Sequence, residues 1–214
     1  SKRIALSRLS VYTNLRKVKP QNTDVNNYVL FFGGISSHKG VEYLCEAMDN
    51  VCKKHPDVKL VIAGKGKIYF DISKYAIYND DHLILLNRYL DDSELVGLIR
   101  NSLFVVCPYV DATQSGVVMS AFALNKPVIA TNVGALPTMV KDGQYGIIVP
   151  PKDATALASA IELLVDNPQK IKKMSGNIMY DYSDGDCSWE VIAKGVVTIY
   201  NNKLSIANGR KTSL

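Results

Sequence analysis

The chain has few of the residues that announce common chemistries. Only four of its 214 residues are cysteine, and Cys45, Cys52, Cys107 and Cys187 form no CxxC pair. The three histidines, His38, His55 and His82, are scattered, so no zinc pattern arises. Cys45 and Cys52 fall two turns apart on one predicted helix face, too far for a disulfide. The thiols therefore read as small buried hydrophobes in a reducing, cytoplasmic setting. No apolar run reaches the roughly 18 residues of a membrane span. The basic start is not followed by the apolar stretch of a signal peptide. A P-loop, a full GxGxxG, a GxSxG elbow and an HExxH pair are all missing, which removes most nucleotide hydrolases, dinucleotide enzymes, α/β-hydrolases and zincins.

Charge is modest. The net +5 is spread too thinly for the dense basic stripe of a nucleic-acid-binding protein. Two local clusters remain. Residues 1–19 hold Lys2, Arg3, Arg8, Arg16, Lys17 and Lys19 with no acid, and Lys170, Lys172 and Lys173 lie close together. Both read as solvated surface, or as a face for anionic lipid or an acidic partner. A peripheral contact with the inner face of a membrane is compatible with them.

Hydrophobic residues at 47% and charged residues at 21% allow an ordinary globular core. Residues 1–27 lack a clear period and read as an arm or linker. From 28 to 205 short apolar runs alternate with helical patterns, and 206–214 reads as a tail. The expected strands are Tyr28–Gly33, Val58–Ala63, His82–Leu86, Leu103–Cys107, Pro127–Thr131 and Gly146–Val149. Between and after them lie predicted helices at 39–55, from Asp91, at 115–124, after Gly134, and at 153–165, 168–178 and 188–203. Residues 67–81, rich in tyrosine, fit no period. This alternation predicts an α/β fold, a Rossmann-like doubly wound parallel sheet of about six strands with flanking helices. Such sheets bind ligands at the carboxyl ends of their strands.

That rule selects four loops. Gly33-Gly34 leads to Lys39, which opens the next helix and can reach a phosphate or lie on the surface. Gly64-Lys65-Gly66 closes the second strand. Asn87-Arg88-Tyr89 follows the third, and Arg88 can stack on a base, pair with phosphate or sit in solvent. Tyr109–Val117 runs into a helix. Ser115, Gly116 and Val117 there offer a seat for a diphosphate, or simply a helix capped by Ser115. Asp111, the one acid beside this seat, can bind a sugar hydroxyl or cap a turn.

The strings FFGGISSHKGVEYL, VIAGKG, NRYLDDSEL, VVCPYVDATQSGVVMSAFALNKPVIATNVGALPTMV, DGQYGIIVPPKD and SWEVIA, in this order and spacing, resemble the group 1 glycosyltransferases, family 4, of GT-B fold. The match covers Tyr28 to Tyr200. The resemblance implies two Rossmann-like domains facing a cleft, the C-terminal one holding a nucleotide-sugar donor and the N-terminal one most of the acceptor site. This chain then corresponds to the C-terminal half, with residues 1–27 as the incoming linker and no cofactor. Lys39 matches the lysine on the donor diphosphate. Gly33 and Gly64 match glycines lining the donor cleft, and Asn87–Tyr89 the segment that holds the base. The Gln114–Val117 backbone matches the loop that meets sugar and diphosphate. The chain departs from the family at four positions. Gly34 replaces a usual arginine, Ala112 and Ser120 replace a glutamate pair, and Thr138 replaces the glutamate of a GGLPE segment. The QSGV form is similar to a branch without the glutamate pair.

The expected function is transfer of a sugar from a UDP-, GDP- or other nucleoside-diphosphate donor to a glycan or lipid-linked acceptor, with retention, in surface polysaccharide assembly. The missing N-terminal domain would supply any general base, so this chain alone would be inactive. A non-catalytic nucleotide-sugar-binding or scaffold module on the same fold is the rival. A GT-B-fold UDP-sugar epimerase would need catalytic acids and histidines near the cleft, and a receiver domain a cluster of acids at strand ends. Neither is in the sequence. The sugar, base and acceptor stay open.

Overall fold

A computed structural model describes residues 10–209, and the side chains of 202–209 are outside that description. Six strands form one all-parallel sheet: β1 (Tyr28–Phe32), β2 (Lys59–Ala63), β3 (Leu83–Leu86), β4 (Val105–Cys107), β5 (Val128–Thr131) and β6 (Gly146–Val149). Their order is β3-β2-β1-β4-β5-β6. The central β1, YVLFF, is buried along its whole length, as a strand covered on both faces must be. The edge strand β3 is only partly buried.

The helices are α1 (Val41–Lys54), α2 (Ala76–Asn79), α3 (Asp92–Asn101), α4 (Gly116–Ala123), α5 (Leu136–Val140), α6 (Ala154–Val165), α7 (Pro168–Ser183) and α8 (Trp189–Gly209). Their ends are set by local chemistry. Asp91 Oδ1 accepts from the Glu94 amide at 2.9 Å to start α3, and Asp153 Oδ1 accepts from Ala156 at 2.8 Å to start α6. The amphipathic face of α1 buries Val41, Leu44, Cys45, Met48, Val51 and Cys52, and α1 packs against α6. From β1 the chain winds outward to β2 and β3, then returns to β4 and winds the other way. With right-handed crossovers, that reversal puts α1 and α2 on one face and α3, α4 and α5 on the other. The switch point lies between β1 and β4, which are paired at Leu30 and Val105.

Three features differ from the sequence pattern. Lys39 does not open α1: it ends a short 3-10 turn, Ser37–Lys39, and left-handed Gly40 separates it from the helix. The tyrosine-rich stretch forms a 3-10 turn, Ile72–Lys74, and the single-turn α2. It is pinned to α1 by Tyr69, whose hydroxyl donates to Glu42 and accepts from the Val41 amide, and by Asp49 accepting from the Ile77 amide. The last two helices outrun their predicted ends, so α8 continues through position 205.

The arm lies on the domain. Residues 1–9 fall outside the described residues, but Val11 and Leu15 are buried. Ser10 Oγ donates to the Cys187 carbonyl at 2.7 Å, Trp189 Nε1 to the Val11 carbonyl at 2.9 Å, and Arg16 Nε to the Ala123 carbonyl at 2.9 Å. Further along, Gln21 bonds through its amide to the Ser93 carbonyl at 3.0 Å. Gly97, inside α3, lets this strap pass: a Cβ there would stand 2.2 Å from the Gln21 carbonyl oxygen. All four cysteines are free and buried. Burial pushes the Cys45 and Cys107 thiols up to about 12 and Cys52 to about 11. No described helix is long and apolar enough to cross a membrane.

Candidate functional site

The carboxyl ends of β1, β2 and β3 continue beyond the strands as a floor of bare backbone. The Gly33 amide donates to the Ala63 carbonyl at 2.9 Å, Gly64 to Leu86 at 3.0 Å and Ile35 to Lys65 at 3.3 Å. Gly33 and Gly64 have φ of +113° and +140°, a region that favours glycine, and a Cβ on Gly64 would lie 2.1 Å from the Gly33 carbonyl oxygen. Gly34 is different. It is exposed, and a Cβ there would meet only the Lys65 carbonyl oxygen at 3.9 Å.

Asn87 seals the outer edge of this floor. Its side-chain amide donates to the Gly66 carbonyl and accepts from the Gly66 amide, both at 3.0 Å. The side chain is thereby committed to the protein backbone. Arg88 is also committed: its guanidinium forks onto the Glu94 carboxylate, with Nη1 to Oε2 at 2.7 Å. Tyr89 is 80% exposed, with Lys65 Nζ 4.8 Å from its ring centroid.

Across the switch point the Lys39 turn and the β4–α4 loop are joined. The Val110 amide donates to the His38 carbonyl at 2.9 Å, and a Cβ on Gly40 would fall 2.1 Å from the Pro108 carbonyl oxygen. Lys39 Nζ stands 3.7 Å from the centroid of Tyr109, whose ring is fully buried. Partial burial lowers the Lys39 pKa, and burial raises that of Tyr109, which stays neutral. Thr131 Oγ1 donates to the Tyr109 carbonyl at 2.6 Å and fixes this corner. No acid pairs with Lys39 among the described residues.

Ser115 caps α4, its Oγ accepting from the Val118 amide at 3.3 Å. The capping role weighed for Ser115 is thus real, and it leaves the Gly116 and Val117 amides without intrahelical partners. Gln114 and Asp111 are exposed beside them. A cavity of 370 Å³ adjoins this helix start, lined by Tyr12, Gln114, Gly116, Thr138, Met139 and Lys141 among others. Tyr12 of the strap closes one side, its hydroxyl 3.3 Å from where a Gly116 Cβ would be.

Of the four positions where the chain departs from its family, Ser120 is buried in α4. Thr138 donates to the Ala135 carbonyl at 2.8 Å. Ala112 packs its carbonyl against Gly134, where a Cβ would come within 1.6 Å of that oxygen. The structure thus gathers Gly33, Gly34, Gly64, Asn87 and Tyr89 on one side of the switch point, and Asp111 and Gln114–Val117 on the other. Lys39 stands between them. Sequence reasoning missed Tyr109 beneath Lys39, Lys65 over Tyr89, Glu94 on Arg88 and Tyr12 at Gly116. Only the Glu94–Arg88 pair, six positions apart around a helix start, left a local trace.

Comparison with known proteins gives the family and the fold. The family model described as "Glycosyl transferases group 1" matches residues 26–167. An uncharacterized glycosyltransferase of Methanocaldococcus jannaschii is 30% identical over 191 residues, covering 89% of this chain and 52% of the relative. The chain thus spans about half the length of that curated relative. Two solved structures share the fold. The C-terminal domain of a group 1 family glycosyl transferase from Francisella tularensis has TM-score 0.64 and 23% identity, covering 78% of this chain and 87% of that one. The Anabaena Alr3699/HepE protein in complex with UDP has TM-score 0.66 and 20% identity, covering 82% and 49%. The family match extends over most of the chain, and the chain belongs to the group 1 glycosyltransferases, with their GT-B-type fold.

Proposed function

We propose that the chain is the donor-binding, C-terminal half of a two-domain retaining glycosyltransferase. It takes a nucleoside-diphosphate sugar and, with an N-terminal acceptor-binding domain, passes the sugar to a hydroxyl of a glycan or lipid-linked acceptor. The setting is surface polysaccharide assembly in the cytoplasm, at the inner face of a membrane. One observation carries this reading. An unpaired lysine, Lys39, stands at the switch point between a glycine floor and the free amides of α4. That combination suits a diphosphate, which brings its own negative charge to a partly desolvated cation.

In this reading the base lies at Asn87–Tyr89, on a loop kept in shape by Asn87 on Gly66 and Arg88 on Glu94. The sugar occupies the cavity at Gln114–Gly116. As the glycosidic bond breaks, charge grows on the leaving diphosphate. In this reading Lys39 and the Gly116 and Val117 amides meet that charge and stabilise the transition state more than the ground state. The reading requires neither cofactor nor metal. UDP in the Anabaena neighbour makes uracil the first base to test.

Calorimetric titration with UDP- and GDP-sugars tests the proposal. The expected result is saturable binding of one series, undiminished by a metal chelator, with no glycoside formed by the chain alone. The uncharged Gly34, Ala112, Ser120 and Thr138 favour a second reading, a non-catalytic scaffold of the same fold. Absence of binding to any nucleotide sugar would select it.

A further inference from the structure

We infer that Lys65 is a second diphosphate-binding cation of the donor site, working opposite Lys39. The inference rests on the nucleotide-sugar reading above. Lys39, Lys65 and Arg88 are among the cationic side chains that follow the carboxyl ends of β1, β2 and β3. They differ in what they already hold. Arg88 is closed onto Glu94 by two hydrogen bonds. Lys39 and Lys65 have no acid within ion-pair distance among the described residues; each instead lies over a tyrosine face, at 3.7 Å on Tyr109 and 4.8 Å on Tyr89. A tyrosine face orients an ammonium without neutralising it, so both remain available to an anion.

The ground between them is rich in glycine, with the Val117 side chain reaching over Gly33, its Cγ2 3.2 Å from where a Cβ there would stand. Gly33, Gly34, Gly64 and Gly66 present backbone alone, and the Ile35 amide bonds to the Lys65 carbonyl at 3.3 Å, which sets Lys65 directly across the seam from the Gly34–Ile35 peptide. Gly34 is exposed and uncrowded, a Cβ there meeting only the Lys65 carbonyl oxygen at 3.9 Å. Lys65 is exposed and free to swing over this floor, while the half-buried Lys39 is not. One diphosphate carries charge on both phosphoryl groups, so cations entering from the two sides of the floor suit it better than one. Lys65 also stands on the base side, next to Tyr89. It therefore meets the phosphate nearer the nucleoside, and Lys39 the one nearer α4.

The test compares wild-type protein with Lys65→Ala, Lys65→Arg and Lys67→Ala, the last an exposed lysine two positions away. Each is titrated with UDP and GDP and with uridine and guanosine, and its fold is checked by thermal melting. The expected result is that Lys65→Ala binds the preferred diphosphate roughly tenfold or more weakly, as loss of a charge-assisted contact implies, with nucleoside binding unchanged. Lys65→Arg and Lys67→Ala should stay within about threefold of wild type. Diphosphate affinity unchanged in Lys65→Ala overturns the inference while leaving the donor reading intact. Equal losses in Lys65→Ala and Lys67→Ala overturn it in favour of a diffuse field. A wild-type protein that binds no nucleotide overturns the donor reading itself, and this inference with it.

Discussion

Lys39 rests its ammonium on the face of Tyr109, 3.7 Å from the ring centroid, and that ring is wholly inside the protein. A flexible side chain is thereby given one direction. Partial burial desolvates the charge and lowers the Lys39 pKa from 10.5. On the proposed function, an arriving diphosphate should reverse the shift, because the charged form gains a partner.

Replacing Lys39 with Ala should therefore weaken donor binding by about 2 kcal/mol, roughly 30-fold. In wild type the affinity should fall as pH rises through the lowered Lys39 pKa, below the range where an ordinary lysine deprotonates. Lys39→Arg should remove that dependence, since arginine keeps its charge. Titrations at several alkaline pH values check both.

The floor glycines should not tolerate substitution equally. Gly64→Ala forces a Cβ to 2.1 Å from the Gly33 carbonyl oxygen at a φ of +140°. It should cost about 2–4 kcal/mol of stability. In Gly34→Arg the new Cβ makes only ordinary contact, with the Lys65 carbonyl oxygen at 3.9 Å. This substitution should change stability by less than about 0.5 kcal/mol and tighten diphosphate binding. Chemical denaturation and calorimetry on the two variants separate these cases.

Lys126 gives a pH signature unrelated to the site. Burial lowers its pKa to about 8, and its Nζ donates to the Ser102 carbonyl. Below pH 8 both folded and unfolded chains hold the proton, so the burial penalty is constant. Between about 8 and 10.5 the unfolded chain binds more protons, and stability from this group rises with pH. Lys126→Met should flatten the pH 7–9.5 stability profile by about 1–2 kcal/mol relative to wild type, measured by urea denaturation.

The Arg88–Glu94 pair should act on binding through the loop it shapes. Arg88→Ala and Glu94→Ala should each weaken nucleoside binding by roughly two- to fivefold, and the double variant no further, because both remove one tether. Tighter binding in Glu94→Ala would instead mean that Arg88, once released, reaches the ligand.

The sheet was legible because its strands are short, continuous apolar runs separated by helical periods, and a parallel sheet demands that pattern. Its strand ends followed, and with them the positions of Gly33, Lys39, Gly64 and Gln114–Val117. The supports of the site were not legible. Tyr109 lies 70 residues beyond Lys39, and nothing local announces a ring beneath an ammonium. The strap escaped because its ties from Ser10, Arg16 and Trp189 end on backbone carbonyls, which carry no sequence signal, apart from a second bond of Arg16 to the Ser183 hydroxyl. Residues 67–81 showed no period because irregular ties hold them, the Tyr69 hydroxyl on Glu42 and Val41, Asp49 on the Ile77 amide and the buried Tyr75 and Ile77, rather than a repeated apolar face.

The bond from the Val110 amide to the His38 carbonyl ties the two banks of the switch point to each other. A ligand spanning them has no loop to organise on arrival. The entropy of ordering this corner was spent when the chain folded. Donor capture should then resemble a key entering a cut lock: a small structural response, a heat of binding set by direct contacts, and an association rate governed by encounter rather than rearrangement.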